Sequence, residues 1–318
     1  MIINLFFISI LFNYFFTYFL VNKSKKILLD KPNSRSMHEK ATITGGGISF
    51  VLSSVLLGFF VDNLLFLICL PLALVGMLDD FFSLKNIYRY FVQVLTSFFI
   101  ISQSKLVLNY LDNSNQIIFL IGIIFLTIFI TAIINFINFM DGIDGLIASC
   151  LIILFGFVVF KIDSSFLIII GGLIGFLFWN WYPSKIFMGD IGSTFVGAIF
   201  AGAILNTDNF GISYDLLFCA SPLFLDAIIC ILRRFFAGEN IFRPHSLHLY
   251  QRLCKSGWSH SKVSLNYLIS ILLLTVSCLL NIVFLKIVCF SLIYSYAFYL
   301  ELKFASPFNL ELNKSRSN

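Results

Sequence analysis

The chain has 318 residues, of which 59% are hydrophobic and 12% charged, with a mean hydropathy of +0.96 and a formal net charge of +5. No soluble fold hides that much apolar surface, and 40 phenylalanines suit an exterior that faces lipid. The positive balance tracks the polar breaks between apolar runs and forms no basic face, so no nucleic-acid partner is expected.

Eleven apolar runs can be drawn as spans, at 2–21, 45–61, 64–79, 88–104, 117–137, 145–160, 165–182, 191–206, 215–232, 263–281 and 284–301. The pattern predicts an all-α, polytopic membrane protein of 10–11 transmembrane helices. With no repeat, low-complexity tract or long linker, residues 1–318 read as one integral-membrane domain. No basic residue precedes the first run and Lys23, Lys25 and Lys26 follow it, which predicts a retained anchor with its N-terminus outside. Counting spans from there, eighteen Lys and Arg fall on the inner side, and only Lys105, Lys161 and Lys286 on the outer. That split predicts a multi-pass membrane protein with cytoplasmic active-site loops. The seven cysteines show no CxxC spacing and mostly sit inside apolar runs, which suits packing better than disulfides or metal.

The chemistry-bearing residues all fall at that inner boundary. Gly45, Gly46 and Gly47 open the second span, where free backbone amides can hold an anion; Lys40 and Arg35 nearby favour phosphate. Asp79 and Asp80 end the third span, and adjacent carboxylates repel unless a cation is near. Thr131, Asn135, Asn138 and Asp141 follow at spacings of four, three and three, one polar stripe on a helix; Asp144 extends it if the helix persists past Gly142. Polar groups in the last turns of a span are costly unless they face a cavity. Asp190 and Ser193 sit where a helix starts, as caps or, for Asp190, as a hard oxygen ligand. Asp226, inside a span, is either functional or paired with Arg233 or Arg234. The loop from Arg233 to Lys262 carries three of the four histidines; His245 and His248, framed by Arg243 and Arg252, suit substrate better than lipid heads. A zinc site there would need more Cys or His than the nearby Cys254.

In order, the strings DKPNSRSMHEK, GGG, LDD, NFINFMDGIDG, FMGDIGS, PLFLDAIICILRRF and RPHSLHLYQRL resemble the polyprenyl-phosphate N-acetylhexosamine-1-phosphate transferases of the glycosyltransferase 4 family. That group includes phospho-MurNAc-pentapeptide translocase and the enzymes that prime O-antigen, and the match covers a motif region of about 30–255. The resemblance implies transfer of an N-acetylated amino-sugar 1-phosphate from a UDP-N-acetylhexosamine to undecaprenyl phosphate. UMP would leave, with Mg²⁺, or Mn²⁺ in its place, as cofactor. It further implies Asp190 and Asp141 at the metal, and Asp79, Asp80, Asp141 and Asp144 as catalytic carboxylates. Lys40, Asn138, Arg243, His245, His248 and Arg252 become the substrate-binding set, and a homodimer is open. Two departures bear on the donor sugar: Thr42-Ile43-Thr44 replace the usual Pro and basic residue, and Ser246 stands where relatives often carry Arg. A cation-coupled transporter is the rival class, but transporters place ionisable groups near the midplane and carry paired repeats. A CDP-alcohol phosphotransferase is excluded by Leu146 onward, which lacks its Ala-Arg step.

Overall fold

The structure, a computed structural model, describes residues 1–23, 29–32, 36–38, 40–110, 115–241 and 243–317. Arg35, and Lys25 and Lys26 of the inner charge count, lie outside the described residues. The helices are α1 (Ile2–Lys23), α2 (Ile48–Gly58), α3 (Leu65–Ile68), α4 (Leu70–Phe82), α5 (Asn86–Ser102), α6 (Lys105–Tyr110), α7 (Gln116–Met140) and α8 (Leu146–Lys161). They continue with α9 (Leu167–Asn180), α10 (Gly189–Leu205), α11 (Phe210–Phe236), α12 (Leu249–Lys255), α13 (His260–Leu279), α14 (Val283–Lys303) and α15 (Phe308–Ser317). Two short strands, β1 (Leu29–Asp30) and β2 (Thr42–Ile43), pair antiparallel, and Ile43 forms a parallel bridge with Ile186.

All eleven apolar runs fall on helices, and the fold is all-α. Six helical stretches, 2–23, 65–82, 116–140, 210–236, 260–279 and 283–303, are long and apolar enough to cross a bilayer; four shorter apolar ones accompany them. The protein is therefore a multi-pass membrane protein. Its outside is hydrophobic: Phe7, Phe15, Phe125, Phe284 and Phe298 are all exposed. On α5 the usual arrangement is inverted. Gln93, Thr96 and Ser97 turn inward while Ile87, Phe91 and Phe98 turn out, as a helix between lipid and a polar interior requires.

The centre of the bundle is α10, buried at every residue from Ile191 to Leu205. Its N-terminal turn lies against the triglycine: a Cβ on Gly47 would stand 2.3 Å from the Gly192 Cα. Close backbone approach of this kind needs residues without side chains and lets dispersion contacts replace the hydrophobic drive that lipid removes. Polar pairing helps at the α1–α2–α9 seam, where Asn13 Nδ2 donates to Ser53 Oγ at 2.8 Å and Ser9 Oγ to the Ile168 carbonyl at 2.8 Å.

One end of the bundle gathers the polar loops. There the last turns of α4 and α7 meet the first turns of α5, α10 and α13. The opposite end carries Lys161 and Lys286, which line one cavity there. The helix does not persist past Gly142, so Asp144 does not prolong the stripe: α7 ends at Met140 with Asp141 leaving helical geometry as its C-cap, and Asp144 sits in the turn before Gly145, the N-cap of α8.

Candidate active site

Two first-turn amides of α10 are satisfied from another helix. The Asp80 carboxylate, at the end of α4, accepts from the Asp190 N–H at 3.0 Å and the Ile191 N–H at 3.4 Å. Asp80 thereby does the capping that the sequence left to Asp190 or Ser193, and the Asp190 side chain is free to face the cavity. It meets Arg89, whose Nη1 lies 2.9 Å from Asp190 Oδ2 and 2.7 Å from Asp79 Oδ2. Asp79 also accepts from the Leu84 N–H at 2.6 Å. Asn138, oriented to satisfy its neighbours, donates to Asp190 Oδ1 at 3.0 Å and Ser193 Oγ at 2.6 Å and accepts from Arg89 Nη2 at 2.9 Å. Asn135, one turn earlier on α7, donates to Gln93 Oε1 at 2.9 Å.

Asp141 has no side-chain hydrogen bond among the described residues and lines the cavity between Asp80 and Asp190. Burial, and then the Asp190 and Asp80 charges, push its carboxyl well above the usual range. Asp144 is held differently. It accepts from Ser184 Oγ at 2.9 Å and Ser184 N–H at 3.1 Å, and His260 Nδ1 lies 3.2 Å away. Burial would raise this carboxyl, but His260 and the Ser184 donors outweigh it and hold it below the ordinary value. His260 also reaches the Met37 carbonyl at 3.2 Å, tying α13 to the segment before β2.

The histidine loop forms the other wall. His248 is the N-cap residue of α12, and Asp226 holds that helix start from below, accepting from the Leu249 N–H at 2.7 Å and the Tyr250 N–H at 3.2 Å. Tyr267 donates to the same carboxylate at 2.7 Å. Asp226 is therefore a helix-anchoring group and does not pair with the α11 arginines: Arg233 bonds Glu301, and Arg234 donates to the Asn240 carbonyl. The His248 ring lies 3.8 Å from Asp226; burial opposes its charging, but Asp226 and Cys230 prevail and push it up to about 10. Burial and the nearby His248 and Arg234 charges push His245 down to about 3, so its ring is neutral. Arg243 is exposed at the rim and makes no ion pair among the described residues.

These groups share one polar cavity of about 490 Å³, lined by Asp80, Asn138, Asp141, Asp144, Asp190, His245 and His260. A second, of about 250 Å³, adjoins it through Asn138, Asp190 and His245 and adds Arg89, Arg243 and His248. Three sequence-derived assignments are corrected. Lys40 is exposed and lines neither cavity. Arg252 is buried away from both, donating to the Leu247 and Ser306 carbonyls and bridging Glu301. The triglycine offers no free anion nest, since the Gly46 and Gly47 N–H groups donate to the Phe187 and Met188 carbonyls at 2.9 Å each. Conversely, Arg89, Ser184 and His260 enter the site unannounced by any motif. The available signals were the position of Arg89 just after the acidic pair and that of His260 at the start of a span.

Fold and cavity define a class: a polytopic helical membrane protein whose carboxylate-rich pocket opens at one end of the bundle. Residues 62–208 match the family model for glycosyl transferase family 4. The chain is 30% identical to the undecaprenyl-phosphate alpha-N-acetylglucosaminyl 1-phosphate transferase of Thermotoga maritima, over 86% of this chain and 89% of that protein. A probable undecaprenyl-phosphate N-acetylglucosaminyl 1-phosphate transferase of Bacillus subtilis is 27% identical over 73% of this chain and 71% of its own. The phospho-N-acetylmuramoyl-pentapeptide-transferase of Staphylococcus saprophyticus is 30% identical over 71% and 81%. The protein belongs to glycosyl transferase family 4.

Proposed function

We propose that the protein transfers an N-acetylated amino-sugar 1-phosphate from a UDP-sugar to undecaprenyl phosphate, releasing UMP and starting a lipid-linked surface glycan. The observation that carries the reading is the pairing, in one cavity at a membrane boundary, of a carboxylate wall with a histidine and arginine wall. One reactant is a lipid phosphate and the other a soluble nucleotide sugar, so their meeting place must be polar and open at the end of the spans. The charge split between the two ends supports a cavity on the cytoplasmic side, where UDP-sugars are found.

The donor set fits a hard divalent cation. Asp190 and Asp141 supply oxygen ligands; Asp79 and Asp190 share one guanidinium, Arg89, while Asp80 and Asp141 have no ion pair among the described residues. Mg²⁺, or Mn²⁺ in its place, would neutralise the donor diphosphate and polarise the attacked phosphorus when bound there. The remaining work belongs to the chain. Arg89 holds Asp79 and Asp190 in register, and Asn138 fixes the second oxygen of Asp190. Asp80 keeps the start of α10 in place. Arg243, with its planar fork free at the rim, and His245 and His248 meet the diphosphate and sugar. Asp141, which makes no side-chain hydrogen bond among the described residues, is the carboxylate placed to accept a proton from the acceptor phosphate if that phosphate arrives protonated.

The test is reconstitution with undecaprenyl phosphate, Mg²⁺ and a panel of UDP-sugars, with UMP release and the mass of the lipid product as readouts. A lipid carrying one N-acetylhexosamine phosphate is expected. Product formed only from UDP-MurNAc-pentapeptide would move the protein to the peptidoglycan branch, and no lipid product from any donor would overturn the reading.

A further inference from the structure

Cys230, nearly two turns before the end of α11, is buried and lies beside the histidine loop. Its Sγ and one ring nitrogen each from His245 and His248 lie within 4.8 Å of one another. The two rings stand 4.9 Å apart, tilted by 33°. His248 is 2% exposed, and its Nδ1 faces Asp226 at 3.8 Å, which leaves the other ring nitrogen for Cys230 and His245. From sequence, zinc at this loop lacked ligands because only Cys254 was near; the fold supplies the missing thiol from a residue fifteen positions before His245.

We propose that Cys230, His245 and His248 form a site for a soft divalent ion, Zn²⁺, and that its occupation inhibits the transferase by taking both histidines away from the donor. The ion displaces one proton from His248 and one from the Cys230 thiol to solvent, and the resulting two imidazoles and one thiolate are a nitrogen and sulfur set, which favours Zn²⁺ over Mg²⁺, whereas the carboxylate wall opposite does the reverse. Zn²⁺ held by three protein ligands keeps a fourth position for water. His245 lines both polar cavities, so an ion held by it would border them. Asp226, 3.8 Å from His248 and fixed by three donors, is the carboxylate that would orient that imidazole from behind. The inhibitory half rests on the proposed transfer reaction; the binding half does not.

Cobalt serves as the probe, because a thiolate bound to Co²⁺ absorbs in the near ultraviolet and Mg²⁺ is silent. Purified protein in detergent should develop that band at one equivalent of Co²⁺ and lose it when Zn²⁺ is added. Cys230→Ser should show no band and, without Zn²⁺, wild-type turnover, since Cys230 lines neither polar cavity. Turnover of the wild type with excess Mg²⁺ should fall at least tenfold with micromolar Zn²⁺, and that of Cys230→Ser should not. If Cys230→Ser is unstable, Cys230→Ala with a matched melting temperature replaces it. No band in the wild type, or an equal band in the variant, overturns the site. A Cys230-dependent band with equal Zn²⁺ sensitivity in both proteins overturns the inhibition. A band in a protein that makes no lipid product leaves the site standing and removes the transfer reading instead.

Discussion

Asp79, Asp80 and Asp190 share a short stretch of space but do different things, and substitutions should separate them. Asp80 sits on the amides that open α10, where unpaired N–H groups and the helix dipole both favour negative charge. Asp80→Ala should therefore cost about 0.5–2 kcal/mol of stability, in the range of a lost helix cap, read as a lower melting temperature in detergent. Asp190→Asn should leave the melting temperature near that of the wild type yet lower turnover by about 10²–10³-fold, the scale of losing a group aimed at developing charge. Equal effects of both variants on stability would return Asp190 to a capping role. Asp144 carries a pH signature. Its carboxyl is held below the ordinary value, so the stability it contributes is present above the unfolded Asp pKa of about 3.9 and is lost as pH falls through the lower folded value. Asp144→Asn should lower the melting temperature at pH 7, and the gap to the wild type should close as the pH drops below about 4. A gap that stays constant with pH would mean the effect is packing, not charge.

At the scale of elements, the carboxylate end is built by helix starts that borrow partners from elsewhere. Asp80 of α4 caps α10, Asp226 of α11 caps α12, and Asn180, closing α9, accepts from the Gly145 N–H at 3.1 Å where α8 begins. Tight backbone approach is the second device. Gly47→Ala would place a methyl 2.3 Å from the Gly192 Cα and 2.6 Å from its nitrogen, so α2 and α10 must separate. We expect a stability loss on the order of 1–3 kcal/mol, as for overpacked cores, and a parallel fall in turnover because the start of α10 carries Asp190. Undiminished turnover in a destabilised variant would uncouple the seam from the site. This level divides what a sequence displays from what it conceals. The spans were legible because apolar length is a local property, and Asp79, Asp80, Asn138, Asp141 and Asp190 were legible because polar groups at span ends are conspicuous. The cap donated by Asp80, the Ser184 and His260 grip on Asp144, and the Cys230 contact join residues 15 to 116 positions apart, and no spacing encodes them. Lys40 and Arg252 misled for the opposite reason: a basic residue beside a motif looks functional until its exposure or its partner is seen.

For the whole molecule, the two ends of the bundle are chemically unlike, and that fixes how it should sit in a bilayer. Lys161 and Lys286 line a cavity at the end opposite the carboxylates, and Lys105 begins α6 where Ser104 donates to the Leu205 carbonyl, the last residue of α10. These are the three cations that span counting left outside; the same counting assigns the other eighteen Lys and Arg, three of them outside the described residues, to the opposite side. Each Lys or Arg beside a short span biases that end toward the cytoplasm, so a split of this size leaves little competition between orientations. In a cysteine-free background, Lys161→Cys should react with a membrane-impermeant maleimide in right-side-out vesicles, whereas Lys262→Cys, exposed at the start of α13, should react only after permeabilisation. The inverse pattern would put the carboxylate cavity outside, where no UDP-sugar reaches it, and would end the transferase reading whatever the mutants of Asp190 do. Equal labelling of both positions in sealed vesicles would mean a mixed population, which the charge split forbids.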